Sequence, residues 1–148
     1  MRDALGGTVN LVIIVMFIVI ALSYMAFNVN YMKAYRMKNK IVDSYNDFDG
    51  QCDSNCIAEI QEYASEIGYH PQQVACPEGY NPNNVFTYCT QEVNRSIDGV
   101  EPVEMRYYRI ATKIDFDFPI IRNILGNLNY FWIKGDTKVY KIENNIEE

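Results

Sequence analysis

A chain of 148 residues with 49% hydrophobic and 22% charged side chains can hold one small globular domain and one further element, which excludes a disordered or collagen-like polymer. The net charge of −6 is unevenly divided: residues 1–48 carry five bases and three acids, whereas residues 49–148 carry eight bases and 16 acids. A nucleic-acid binder needs the opposite sign on its folded part, and a single histidine, His70, argues against most catalytic metal sites and His-dependent general-base schemes.

The first element is an apolar helix. No charge occurs from Ala4 to Met32, and Leu11 to Leu22 is an unbroken apolar run, LVIIVMFIVIAL. With Ser23 to Phe27 added, it makes roughly 25 Å of helix, at the short end of what spans a bilayer. Gly7, Thr8, Val9 and Asn10 extend it into the interface, and Tyr24, Tyr31 and Lys33 supply aromatic and basic anchors at the far edge. A cleaved signal peptide is the competing reading, with Arg2 as the n-region and Ala21 and Ser23 before the cut. Against it, Phe27, Tyr31, Ala34, Tyr35, Ile41, Val42 and Tyr45 recur at helical spacing, so one helix runs on to about Tyr45 with an amphipathic second half.

Two rules collide over orientation. Lys33, Arg36, Lys38 and Lys40 favour a cytoplasmic C-terminal part. Four cysteines at paired spacings in a small acidic domain favour the oxidising side, and that placement is preferred here: a single-pass membrane protein with its C-terminal domain outside.

Asp47, Asp49 and Gly50 end the long helix, dividing the chain into a helix over residues 1–48 and a head over residues 49–148. A second helix is expected from Ser54 or Asn55 to Ile67, with Cys56, Ile60, Tyr63, Ala64 and Ile67 as its apolar stripe, Glu59, Glu62 and Glu66 on its wet face, and Gly68 and Pro71 as its stop. CPEGYNPNN, from Cys76 to Asn84, is turn chemistry. Val85 to Val93 reads as a strand closed by an Asp98-Gly99 turn.

Met105 to Phe118 is the most regular strand. Tyr108, Ile110, Thr112, Ile114, Phe116 and Phe118 alternate on one face, against Arg109, Lys113, Asp115 and Asp117 on a solvated one. Pro119 ends it, and Leu128 to Ile133 and Thr137 to Ile142 read as two strands joined by a hairpin turn at Lys134-Gly135-Asp136. The natural cover for the apolar sheet face is the second half of the long helix, through Tyr35, Ile41, Val42 and Tyr45 against Ile110, Ile114 and Phe116. The fold class expected is therefore α+β, one long N-terminal helix packed on a small antiparallel sheet.

Cys52, Cys56, Cys76 and Cys89 are read as two disulfides. Three pairings are open; the favoured one staples Cys76 to Cys89 across the turn-rich segment and leaves Cys52 with Cys56. A zinc site is the rival, but both pairs lack the C-x2-C spacing. His70 reads as a surface loop residue, and Asp115 and Asp117 as solubilising charges. Asn94-Arg95-Ser96 matches a glycosylation acceptor, a pattern common by chance. No phosphate loop or nucleophile elbow occurs, so neither catalysis nor a cofactor is expected.

So organised, the chain resembles the TadE-like pseudopilins, minor pilin-like proteins of tight-adherence secretion and pilus systems. Gly6-Gly7-Thr8-Val9-Asn10 leading into LVIIVMFIVIAL carries the resemblance at one end, and YYRIATKIDFDFPII followed by LNYFWIKGDTKVY at the other. The match covers about half the chain and omits the cysteine-bearing middle. It implies a pilin-like fold and a membrane-anchored subunit contributing to a surface pilus or secretion apparatus. Its partners would be the lipid bilayer and other pilin-like or assembly-platform subunits, copies of itself among them, with Gly6, Gly7 and Asn10 at the membrane-helix packing surface. The chain departs from the family's processing pattern, because a cut after Gly6 places Leu11, not an acid, at the fifth position. The alternative is a single-pass anchored binding domain that never assembles.

Overall fold

A computed structural model describes residues 2–71, 75–83, 88–97, 103–115 and 130–141. Helix α1, Arg2–Asp47, is one unbroken α-helix of 46 residues, about 69 Å long at 1.5 Å per residue. It contains no proline, so nothing in its interior removes a backbone hydrogen bond. Past its end, Asp49 and Gly50 adopt φ of 50° and 80°, and the Gly50 N–H donates to the Tyr45 carbonyl at 2.8 Å. Gly50 is required there for a second reason: a Cβ on it would stand 2.9 Å from the Tyr140 ring and 3.1 Å from the Tyr108 ring.

Helix α2, Ser54–Glu66, starts at Asp53, whose carboxylate accepts from the Asn55 and Cys56 N–H groups at 3.0 Å. It ends in a Schellman arrangement, with Gly68 at φ 63° donating to the Ser65 carbonyl and Tyr69 donating back to Ala64. Cys56, Ile60 and Ala64, one helical line, are buried, while Tyr63 and Ile67 pack beside them.

Five described strands form one antiparallel sheet. β1 (Asn81–Pro82) pairs with β2 (Cys89–Ile97), β2 with β3 (Val103–Asp115), and β3 on its other side with both β4 (Tyr130–Asp136) and β5 (Tyr140–Lys141). The α+β architecture, a long apolar N-terminal helix with a small antiparallel sheet on its second half, is thus of pilin-like form.

Three expectations are corrected. First, β2 runs on to Ile97, because every residue from Cys89 to Ile97 finds a partner on β3; Val85 to Thr87 and the Asp98-Gly99 turn lie outside the described residues. Second, Lys134-Gly135-Asp136 belong to β4 and make no hairpin turn. β4 and β5 lie along the same edge of β3, and between the pairs Arg109↔Asp136 and Arg106↔Tyr140 three residues face two. That extra residue is a bulge. Thr137 closes it, its N–H donating to the Tyr108 carbonyl at 2.9 Å and its hydroxyl accepting the Tyr108 N–H at 3.0 Å.

Third, the sheet face expected to be solvated is covered at its centre, where Ala111 is buried and Lys113 is only 4% exposed. Cys89 stands opposite Ala111 and shares its face, so the disulfide to Cys76 draws the turn at residues 76–80 across that side. Gly79 lies against Gln91, and the Lys134 ammonium stands 5.2 Å from the Tyr80 ring centre. Tyr69 closes the edge of β3 where the pairing with β2 has stopped: its hydroxyl donates to the Lys113 carbonyl at 2.8 Å and accepts the Lys113 N–H at 2.9 Å.

Candidate functional site

The feature that sets this chain apart is that one helix performs two tasks, and the site is built around the point where they meet. From Ala34 onward α1 is part of the head. Ala34, Met37, Ile41, Ser44 and Tyr45 are buried against Ile110, Thr112 and Ile114, and α2 adds Cys56, Ile60 and Ala64 to the same core. The approach is close because small groups face each other. The Thr112 hydroxyl donates to the Ala34 carbonyl at 3.0 Å, and the Lys38 stem crosses Gly135, where a Cβ would come within 2.5 Å of Lys38 Cδ.

Of the expected joint residues, Ile41, Tyr45, Ile110 and Ile114 are buried together, and Val42 packs against them half-buried. Tyr35 is a correction. It is 42% exposed, stacks on Tyr31 and carries the Lys38 ammonium 4.6 Å above its ring. At about 100° per residue it stands well round the helix from the line Ala34, Met37, Ile41, Tyr45. Stepping back from Ile41 by four and then three residues would have found Met37 and Ala34; the aromatic run Phe27, Tyr31, Tyr35 follows a neighbouring line instead. Phe116 lies outside the described residues.

The far end of the joint is an aromatic and hydroxyl cluster. The Tyr45 ring sits 5.2 Å from that of Tyr108, which sits 6.4 Å from Tyr140. The Tyr140 hydroxyl lies 2.9 Å from both the Tyr45 carbonyl and Asn46 Oδ1, and Asn46 Oδ1 also accepts the Lys138 N–H, so the bulge after β4 is tied to the end of α1. Burial pushes the Tyr45 phenol far above its ordinary range, helped by a hydrogen bond with Tyr88, and burial also raises Tyr88. Tyr88 and Tyr69 belong to no motif or period in the sequence.

Below the joint α1 is bare. Its large apolar side chains from Val9 to Met25 are exposed all round the helix, and by length and composition this helix can cross a membrane. Two of its polar side chains turn inward on their own backbone: the Ser23 hydroxyl donates to the Val19 carbonyl at 2.7 Å, and the Asn28 amide to the Tyr24 carbonyl at 2.8 Å. Gly6 and Gly7 lie within this helix, with open space around Gly7, and Asn10 is exposed.

Both disulfides are present: Cys52 joins Cys56, closing the corner between α1 and α2, and Cys76 joins Cys89. Three of the four cations beyond the apolar stretch are engaged by the head. Lys33 donates to the Gly68 carbonyl at 3.2 Å, Lys38 lies between Gly135 and Tyr35, and Lys40 pairs with Glu59, which raises its pKa chiefly through that hydrogen bond. Among the described residues no three His, Cys, Asp or Glu side chains gather as a metal site. Compared with known proteins, the chain matches no family model, no curated protein and no solved structure.

Proposed function

We propose that this protein is a membrane-anchored, pilin-like subunit of the TadE type, its disulfide-bonded head outside the cell membrane, contributing to the assembly of a surface pilus or secretion apparatus. One observation carries the reading: a single unbroken helix is bare and apolar in its first half and is the core of a folded head in its second. A tether needs only a flexible link between anchor and domain. Here anchor and head are one rigid piece, so subunits that pack through the apolar half also fix the angle and height of their heads.

The disulfides support an oxidising compartment. The basic cluster that pulls toward the cytoplasm has a use within the head, as the contacts of Lys33, Lys38 and Lys40 illustrate. The test uses the full chain in its own cells. A membrane-impermeant protease should cut the head in intact cells, and mechanical shearing should release the protein together with surface filaments. Cleavage only after lysis reverses the orientation. Retention of every copy as a monomer in the sheared membrane fraction replaces the assembly reading with an anchored binding domain.

A further inference from the structure

Where α2 ends against α1, an open cleft of about 540 Å³ lies directly below the head. Val29, Met32 and Ile67 form apolar walls, and Lys33, Arg36 and Glu66 bring charge to the same space. Its height along α1 is informative. The apolar stretch from Leu11 to Phe27, at the short end of what spans a hydrocarbon core of about 30 Å, ends immediately before Asn28. The cleft occupies the next two turns, at the level of lipid headgroups, and Lys33 is the first charged side chain past the apolar stretch.

The charges are arranged for a dipolar ligand. Among the described residues Arg36 and Glu66 have no ion-pair or hydrogen-bond partner, and although both line the cleft they do not pair with each other. Lys33 spends one N–H on the Gly68 carbonyl and keeps two more. A cation pair on the α1 wall and a carboxylate on the α2 wall, with apolar surface beneath, match a headgroup carrying phosphate and a hydrogen-bonding ammonium a few ångströms apart.

Resting on the membrane-spanning reading above, we propose that this cleft holds one phosphoethanolamine headgroup of the surrounding bilayer. The phosphate bonds Arg36 and Lys33, the primary ammonium bonds Glu66, and the glycerol end runs down Val29, Met32 and Ile67. A glycerol headgroup offers Glu66 only neutral hydroxyls and carries a net negative charge that the carboxylate repels; a choline headgroup has no N–H to donate. The lipid thereby joins α1 to the end of α2 and seats the head on the membrane surface.

The experiment is native mass spectrometry of the full chain in mild detergent, titrated separately with phosphatidylethanolamine, phosphatidylglycerol and phosphatidylcholine. The first should be retained about tenfold more strongly than the other two, the size of effect that one charge-assisted hydrogen bond gives. Arg36→Gln should weaken phosphatidylethanolamine retention about tenfold, and Glu66→Gln should erase its preference over phosphatidylcholine. Both side chains are exposed, so the thermal melts should match wild type, and Arg95→Gln on β2 should change nothing. Equal retention of the three lipids, or a preference for phosphatidylglycerol that survives Glu66→Gln, overturns the proposal. Flotation with vesicles separates the two levels: a chain that fails to float loses the membrane reading and the cleft together, whereas one that floats with no headgroup preference loses only the cleft.

Discussion

At the residue scale, the most consequential side chains are hydroxyls in apolar surroundings. Tyr45 and Tyr88 are buried, and burial raises both phenols, Tyr45 the further. An unfolded chain ionises its tyrosines near pH 10, whereas the folded head holds these two protonated to higher pH. Their contribution to stability is complete below about pH 10 and is lost as the pH rises from there toward the folded-state values. Each such group costs up to about 1.4 kcal/mol per pH unit in that window. Denaturant melts between pH 9 and 11.5 should therefore show stability falling steeply above pH 10. Tyr45→Phe should start about 1–2 kcal/mol less stable at pH 8 but fall less steeply, by one proton's worth of slope. A variant with the wild-type slope would mean that Tyr45 ionises freely in the folded state.

At the element scale, the helix–sheet joint and the outer staple hold the two faces of β3. Met37 is fully buried, so Met37→Ala should cost about 2–5 kcal/mol, whereas Tyr35→Ala, truncated on an exposed face, should stay near 0.5 kcal/mol. Equal losses in urea melts would put both lines of α1 against the sheet. The Cys76–Cys89 bridge closes a segment with a sequence separation of 13, worth about 3 kcal/mol in the chain-entropy picture. It also holds the turn over Ala111. Replacing both cysteines by serine should lower the melting temperature by roughly 10–20 °C, more than the same change at Cys52 and Cys56, whose separation is 4. A larger loss from the shorter bridge would show that the corner between the helices, not the outer turn, limits stability.

At the scale of the whole molecule, the boundary between the bare apolar stretch and the head lies inside α1. The core begins at Ala34, so a chain starting at Met32 keeps every buried residue of the joint, while one starting at Val42 loses Ala34, Met37 and Ile41 and bares Ile110 and Thr112. The first should be a soluble domain with a cooperative melt. The second should be unfolded or aggregated, since the lost burial exceeds the few kcal/mol by which a small domain is stable. Circular dichroism and gel filtration of the two truncated chains decide this, and a folded head without residues 1–41 would show that α1 is dispensable to the core. Under the assembly reading proposed above, a head continuous with its apolar helix would transmit any packing of the apolar halves into the spacing of the heads.

Much of this was legible in the residues. An apolar run with no proline and a periodic continuation determine one long helix, Asp47, Asp49 and Gly50 determine where it stops, the capping residues Asp53, Ser54 and Asn55 place the start of α2 to within a residue or two, and strict alternation determines β3, because each depends on dihedral and hydrogen-bond preferences a few residues wide. The short spacing of Cys52 and Cys56 and the turn-rich segment between Cys76 and Cys89 likewise favoured the observed bridges. What only the tertiary structure decided is which partner each element meets. Two neighbouring lines of α1 are apolar, and the one through Met37 is buried because small residues at Ala34 and Gly135 let the helix come down there. Ala111 is covered because a disulfide draws a distant turn across its face, Tyr69 closes the β3 edge at Lys113, and the chain after Asp136 bulges along β3 because Thr137 can replace a backbone acceptor. The cleft between Arg36 and Glu66 joins residues thirty positions apart, and no local pattern encodes that distance.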